Sequence, residues 1–158
     1  MKIIFCPLRK ATHCRHAFTL VEIMIVLVII GLLAAIALPA FQRIKKRSIA
    51  TRYANDFRQI SEAFLRFSLE TGAWPAATVA PGNIPSDVPA GYLPSRYAET
   101  SPMGGGYTWS GSTARIRLIS TQATDDVMQQ VDAILDDGNL ATGKFSRMTS
   151  GGYHLQLE

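Results

Sequence analysis

The sequence predicts an α+β protein in which one long amino-terminal helix packs on a small, mostly antiparallel sheet. Three observations predict this fold class. An unbroken apolar run comes first, an amphipathic helical pattern follows it, and short strand patterns separated by turn residues occupy the end of the chain. With 158 residues, 47% of them hydrophobic, the chain has room for one membrane anchor and one small domain.

The apolar run covers residues 18–38, and Glu22 is its only charged residue. As a helix it would be about 31 Å long, which matches the hydrocarbon core of a bilayer. We therefore predict a membrane-spanning helix over residues 18–40. A carboxylate near the start of such a helix is costly in lipid and usually marks a function, so Glu22 is a candidate functional residue.

The basic character of the chain, whose net charge is +4, comes entirely from a leader of seventeen residues. The leader contains four basic residues and no acidic one, whereas residues 18–158 contain equal numbers of both. This distribution favours a role at a membrane, and no nucleic-acid partner is expected. Both cysteines also lie in the leader, so no disulfide can form within residues 18–158.

The stretch HAFTLVEIMIVLVIIGLLAAIALPAF, residues 16–41, resembles the processing signal of type IV prepilins and of type II secretion pseudopilins. The resemblance lies in the small residue Ala17, in the FTLVE sequence that follows it, and in an apolar helix that contains Gly31 and Pro39. The family pattern has glycine at the position of Ala17. An ordinary secretory signal instead has a shorter apolar region with a cleavage site after it.

This resemblance implies a pilin-like fold and a structural role. A prepilin peptidase would cut between Ala17 and Phe18 and methylate the new amino group of Phe18. The helix would anchor the protein in the bacterial inner membrane, with its amino terminus in the cytoplasm and its globular domain in the periplasm. The protein would polymerise with itself and other pseudopilins on a secretion-system assembly platform, into a periplasmic fibre. Glu22 would pair with the amino terminus of a neighbouring subunit, and Gly31 and Pro39 would be weak points of the helix.

The helical pattern continues as an amphipathic half over residues 41–72. Apolar residues recur every three or four positions, which is the spacing of one helix face. We predict that this face is core and that the helix ends at Thr71, because Gly72 can adopt a left-handed conformation and Pro75 follows. The predicted apolar face consists of Ile49, Tyr53, Phe57, Ile60, Phe64 and Phe67.

Residues 73–158 form the predicted globular domain, which begins with a connection rich in proline and glycine over residues 73–106. Trp74, Tyr92 and Leu93 are its predicted anchors on the core. Two hairpins are predicted, one from residues 107–109 and 115–119 and one from residues 143–148 and 153–157. Between them, Thr124 is predicted to cap a short helix. Its predicted buried residues are Val127, Met128, Val131, Ile134 and Leu135.

Three aspartates, Asp132, Asp136 and Asp137, lie at the end of this short helix. Carboxylates oppose the dipole at a helix carboxyl end, so either the helix stops near Leu135 or a positive group lies there. Oxygen ligands would suit calcium, which major pseudopilins bind in their carboxyl-terminal loops. The spacing fits no EF-hand loop, however, and the positions cannot be matched to the ligands of that family. We predict a solvated Asp-Gly turn without a metal, with a calcium site as the alternative.

The sequence offers little for catalysis, and we predict neither an enzyme nor a cofactor. His154 is the one histidine after the leader, and no zinc or phosphate-binding motif is present. Two other functions stay open. An ordinary signal peptidase could cut after Ala37 and release a soluble binding domain, or the chain could be an uncleaved anchor for a periplasmic domain.

Overall fold

The computed structural model describes residues 19–158 of the chain. This part divides into two compact units, with the boundary between Ala40 and Phe41. The helices are α1, Leu20–Thr71, and α2, Asp125–Leu135, and the strands are β1, Gly106–Ser110, β2, Arg115–Ile119, β3, Phe145–Arg147, and β4, Tyr153–Gln156. The predicted α+β fold class is confirmed.

The first unit is the apolar part of α1. Aliphatic side chains do not compete with the backbone for hydrogen bonds, so this segment readily forms a helix. In lipid, a helix also satisfies the backbone groups within the segment. Pro39 lies inside the helix and does not end it. All described residues of this unit are exposed in the single chain.

The second unit contains the remainder of α1, and one face of this helix is buried. The predicted apolar face belongs to the core, and Tyr53, Phe57, Ile60 and Phe64 are fully buried. Asp56, which is not part of the predicted apolar face, is buried as well. At the end of α1, the amide of Gly72 donates to the carbonyl of Ser68 (2.9 Å). Gly72 has a φ of +76°, the left-handed conformation predicted for the residue that terminates the helix.

The sheet is antiparallel throughout and has the order β1-β2-β4-β3. Its two hairpins are those predicted, and the structure places β4 between β2 and β3. Alternate side chains of each strand face α1, as the period of a strand requires. The ring of Phe57 meets those of Tyr107 and Phe145 edge to face, with centroids 5.5 and 5.2 Å away. Phe64 stacks on Trp109 with a centroid distance of 4.2 Å.

The connection between α1 and β1 covers the free edge of β1. The amides of Val79 and Gly82 donate to the carbonyls of Trp109 (3.3 Å) and Tyr107 (2.8 Å), and the Trp109 indole donates to the carbonyl of Pro75 (2.8 Å). An uncovered edge strand would expose unpaired backbone groups to other chains. The predicted anchors do contact the core. Leu93 is buried in the core, and the side chains of Trp74 and Tyr92 are partly buried against the core.

Helix α2 differs from the prediction in two respects. Thr124 is its first flanking residue, but the Thr124 hydroxyl makes no capping bond; its carbonyl accepts from Val127 (3.0 Å) and Met128 (3.1 Å) instead. The predicted buried face is also rotated. Ile134 is 36% exposed, whereas Asp132 is fully buried, because the helix presents the Val127, Met128, Val131 and Asp132 side to the protein.

Candidate functional site

The amino end of α1 is capped by Thr19. The Thr19 hydroxyl accepts a hydrogen bond from the amide of Glu22 (3.2 Å), and its carbonyl accepts from the amides of Glu22 (3.1 Å) and Ile23 (3.4 Å). A threonine in this position satisfies amides that have no partner within the helix. Glu22 lies in the first turn, where a negative charge is favoured by the helix dipole. Within residues 19–158, no donor to the Glu22 carboxylate is found, and the side chain is exposed.

The apolar part of α1 has no partner within its own chain. Among residues 19–158, α1 is the one helix long and apolar enough to span a bilayer, and none of its most apolar stretch is buried. Leu20 is 82% exposed and Ile36 is 75% exposed. A contiguous apolar surface of this size is not stable in water and marks a contact with lipid or with other protein. The prediction of a membrane-spanning helix therefore has a physical basis in the fold.

Gly31 and Pro39 do not interrupt α1, which is helical at both positions. A methyl group at Gly31 would meet no atom within 4 Å, so packing within the chain does not explain glycine at this position. Pro39 has no amide hydrogen and therefore leaves the carbonyl four residues earlier without its usual donor. The helix is intrinsically weaker at these two positions than elsewhere in the segment.

The predicted processing residues, Ala17 and Phe18, lie outside the described residues. The first described residue, Thr19, follows them directly. The described part of the predicted site therefore comprises Glu22, Gly31 and Pro39, which share one helix. Sequence reasoning missed the capping role of Thr19, although a threonine three residues before a glutamate at a helix start is a recognised capping signal.

The three aspartates at the end of α2 lie together. One carboxylate oxygen from each of Asp132, Asp136 and Asp137 lies within 4.8 Å of the others. Asp136 and Asp137 are exposed, but Asp132 is not, so the predicted solvated turn was wrong for Asp132. Burial, followed by the charges of Asp137 and Asp136, raises the pKa of Asp132 to about 6.

His154 lies in β4, on the sheet face opposite the buried Tyr153 and Leu155. Its Nε2 lies 3.3 Å from the hydroxyl of Ser146 in β3. A catalytic serine and histidine pair requires a third group that orients the imidazole. The other ring nitrogen, Nδ1, is buried and has no partner within residues 19–158. Desolvation and the charges of Arg115 and Arg117 lower the pKa of His154.

Two comparisons with known proteins found similarities to this chain. A family model described as the prokaryotic N-terminal methylation motif matches residues 12–38. The chain is 43% identical over 68 residues to fimbrial protein EcpC of Eikenella corrodens, covering 43% of this chain and 44% of the relative. It is 36% identical over 91 residues to the type IV major pilin protein PilE1 of Neisseria gonorrhoeae, covering 50% and 49%. It is 33% identical over 109 residues to fimbrial protein Q of Moraxella bovis, covering 69% and 58%.

The chain is a type IV prepilin-like protein. The motif match contains the predicted processing residues and most of the apolar helix, which carried the resemblance in the sequence. The chain spans about half the length of the curated relatives that it matches. No solved structure matches it. These relatives are named as a type IV major pilin protein and as fimbrial proteins.

Proposed function

We propose that this protein is a subunit of a pilus-like fibre, cut by a prepilin peptidase between Ala17 and Phe18 and polymerised through the apolar part of α1. The observation that supports this proposal best is the exposed apolar surface of residues 20–38, which lies within the prepilin-type motif match at residues 12–38. Lipid covers this surface before assembly, and the same surface of other subunits covers it afterwards. Removal of a normal signal peptide would discard this surface.

Glu22 has a specific role in this proposal. Cleavage leaves an ammonium group on Phe18, four residues before Glu22 in the sequence. In a fibre the Glu22 carboxylate would be enclosed by apolar side chains, where an unpaired charge is costly. Pairing with the Phe18 ammonium of a neighbouring subunit neutralises both groups. The pairing also fixes the axial position of one subunit against the next.

The role of Glu22 can be tested by Glu22→Gln, which keeps the size of the side chain and removes its charge. We expect normal processing and membrane insertion, measured by immunoblot of membrane fractions, and at least a tenfold loss of sheared fibres. Glu62→Gln is the matched control, because Glu62 is exposed on the second half of α1. Normal fibre yield from Glu22→Gln would refute the pairing.

Gly31 and Pro39 are proposed to let part of the helix unwind when the subunit enters the fibre. Their support is the open space around Gly31 and the missing amide of Pro39. The double variant Gly31→Ala, Pro39→Ala should stay helical and insert into membranes, but assemble less. Fibre yield equal to that of the wild type would contradict the proposed unwinding.

The proposed localisation is the inner membrane, with the amino terminus in the cytoplasm and residues 41–158 in the periplasm. Charge does not decide this orientation, because four basic residues precede the apolar run and four follow it, at Arg43, Lys45, Lys46 and Arg47. If residues 41–158 lie in the periplasm, protease added to spheroplasts should digest the domain while the membrane helix stays protected. Resistance of the domain in spheroplasts, with digestion after lysis, would refute this orientation.

The kind of fibre is the finer part of the proposal. The relatives are named as pilins and fimbrial proteins, which favours a type IV pilus-like fibre. A type II secretion pseudopilus, with its assembly platform as a partner, stays a prediction that depends on the resemblance of the motif. Deletion of the gene distinguishes them: loss of surface fibres with normal protein secretion supports the pilus, and the reverse supports the pseudopilus.

A further inference from the structure

The outer face of the sheet carries a cluster of basic side chains. In β2 and β4, fully buried residues alternate with partly buried ones, so Arg115, Arg117 and His154 lie on the face that points away from α1. The strand register pairs Arg117 with His154, and His154 with Ser146 of β3. Neighbouring strands are about 4.8 Å apart and alternate residues of one strand about 6.8 Å apart, so long side chains at these positions can reach the same point above the sheet. We call Arg115, Arg117 and His154 the basic cluster.

No ion pair within residues 19–158 neutralises the basic cluster. None of the residues in the four strands is acidic. The ion pairs in the part of the chain that the structure describes involve other basic residues. Burial, followed by the charges of Arg115 and Arg117, lowers the pKa of His154, and no acidic group acts against these charges there. The outer face of the sheet is therefore a positive surface without a counter-ion from its own fold.

The basic cluster also has hydrogen-bond donors without acceptors. The Nη2 atom of Arg115 donates to Oε1 of Gln156 (3.2 Å), and Nε of Arg117 donates to the sulfur of Met148 (3.3 Å), which is a weak acceptor. Among the described residues, Nε of Arg115 is buried without an acceptor, and the two terminal nitrogens of Arg117 make no hydrogen bond. Buried polar groups in proteins are normally paired. The fold therefore supplies fewer acceptors than the basic cluster can use.

We propose that the basic cluster binds a tetrahedral oxyanion, either the phosphate or sulfate group of a small molecule or the free ion. The guanidinium group presents a planar fork of N–H donors that matches two oxygens of such a group. A phosphate monoester carries about −1.5 to −2 charge and three acceptor oxygens, so it suits two arginines better than a single carboxylate does. The hydroxyl of Ser146, 3.3 Å from Nε2 of His154, is a further donor at this site.

The basic cluster is partly arranged for this ligand before binding. Gln156 and Met148 hold the two guanidinium groups, so less side-chain freedom is lost when the anion binds. A bound anion also favours the charged form of His154, because a nearby negative charge stabilises the imidazolium. The site belongs wholly to the second unit, so it does not depend on the apolar part of α1 or on fibre assembly.

The proposal can be tested with the full chain in non-ionic detergent, in a phosphate-free buffer of low ionic strength that limits screening. Isothermal titration with sodium phosphate should show saturable binding, whereas sodium chloride and sodium acetate at the same ionic strength should show none. Sodium glycerol phosphate distinguishes the two sources of the oxyanion. Tighter binding of this ester than of inorganic phosphate indicates a phosphorylated ligand, and equal or weaker binding indicates the free ion. Absence of saturable phosphate binding, or equal binding of acetate, would overturn the proposal.

Substitutions of Arg117 locate the binding. Arg117→Gln should weaken phosphate binding by roughly tenfold or more, because charge-assisted hydrogen bonds are lost. Arg117→Lys keeps the charge without the planar fork and should bind with intermediate affinity. Arg43→Gln is the matched control, since it removes the same charge from an exposed position of α1, and should bind phosphate as the wild type does. Far-UV circular dichroism checks that each variant is folded. Equal affinities of Arg117→Gln and the wild type would contradict the site.

Sulfate tests the part that His154 plays, because the charge of sulfate does not change over the pH range in which histidine titrates. We expect the affinity for sulfate to rise as the pH falls from about 8 to about 5, and this rise to be absent in His154→Gln. The ring signals of His154 in NMR spectra, identified by their absence in His154→Gln, should show a higher pKa when sulfate is present. An equal rise in affinity in His154→Gln, or an unchanged pKa of His154 with sulfate bound, would remove His154 from the site.

Discussion

Replacing Phe64 by alanine should reduce the stability of the second unit severely. Phe64 is fully buried, stacks on Trp109 at 4.2 Å and meets Tyr97 edge to face at 5.8 Å. Removing a buried phenylalanine ring costs about 3–5 kcal/mol, because apolar burial is lost and a cavity remains. The free energy of unfolding of a domain is normally about 5–15 kcal/mol, so this loss is a large part of the total.

The measurement is equilibrium unfolding in urea of the full chain in mild detergent, followed by far-UV circular dichroism. Leu69→Ala is the matched control on the same helix, since Leu69 is 77% exposed, and should change the free energy of unfolding by less than about 0.5 kcal/mol. The free energy of unfolding of Phe64→Leu should lie between those of Phe64→Ala and Leu69→Ala. Equal stability of Phe64→Ala and Leu69→Ala would refute the conclusion that this face of α1 forms the core under the sheet.

Further substitutions test the backbone and the buried ionisable groups. Gly105→Ala should lower the free energy of unfolding in urea far more than Gly91→Ala. Both glycines have positive φ, but of the two only Gly105 has backbone atoms where a methyl group would lie. Equal losses of free energy in the two variants would contradict this prediction. Because the pKa of His154 is lowered in the folded state, its contribution to stability is present above pH 6.5 and is lost as the pH falls towards the folded-state pKa. The urea midpoint of His154→Gln should therefore fall less than that of the wild type over this pH range. Burial raises the pKa of Asp56 despite its bond from Tyr107, so ionisation of Asp56 destabilises the fold as the pH rises above about 4. Asp56→Asn should therefore gain stability relative to the wild type across that range, and an unchanged difference from pH 4 to pH 7 would argue against it.

Local patterns predicted much of the fold. The spacing of Tyr53, Phe57 and Phe64 identified the buried face of α1, because a helix repeats its faces every three or four residues. Gly72 marked the end of α1 through its left-handed conformation. Both hairpins were also predicted, since their turns lie within a few residues of the strands that they join.

Features that depend on distant residues were not predicted. The place of β4 between β2 and β3 follows from pairing across the intervening helix, which no local pattern encodes. Asp56 is buried and accepts a hydrogen bond from Tyr107, which lies 51 positions later in the chain. The burial of Asp132 instead of Ile134 follows from the rotation of α2 on the core, a rotation that α2 alone does not determine.

The candidate site was predictable to the extent that it depends on a contiguous motif. Glu22, Gly31 and Pro39 were proposed from their residue types and from the resemblance of the motif, and they lie on one exposed apolar helix. The acidic cluster was not predictable in the same way. Its distinguishing property is the burial of Asp132, and that property arises from tertiary packing.

The central claim is that the apolar helix stays on the mature protein after the leader is removed. Intact mass and amino-terminal sequencing of the protein extracted from membranes test it most directly. The account predicts a chain that begins at methylated Phe18. A chain that begins at Leu38 would show release by an ordinary signal peptidase, and one that begins at Met1 would show an uncleaved anchor; either result would contradict the account.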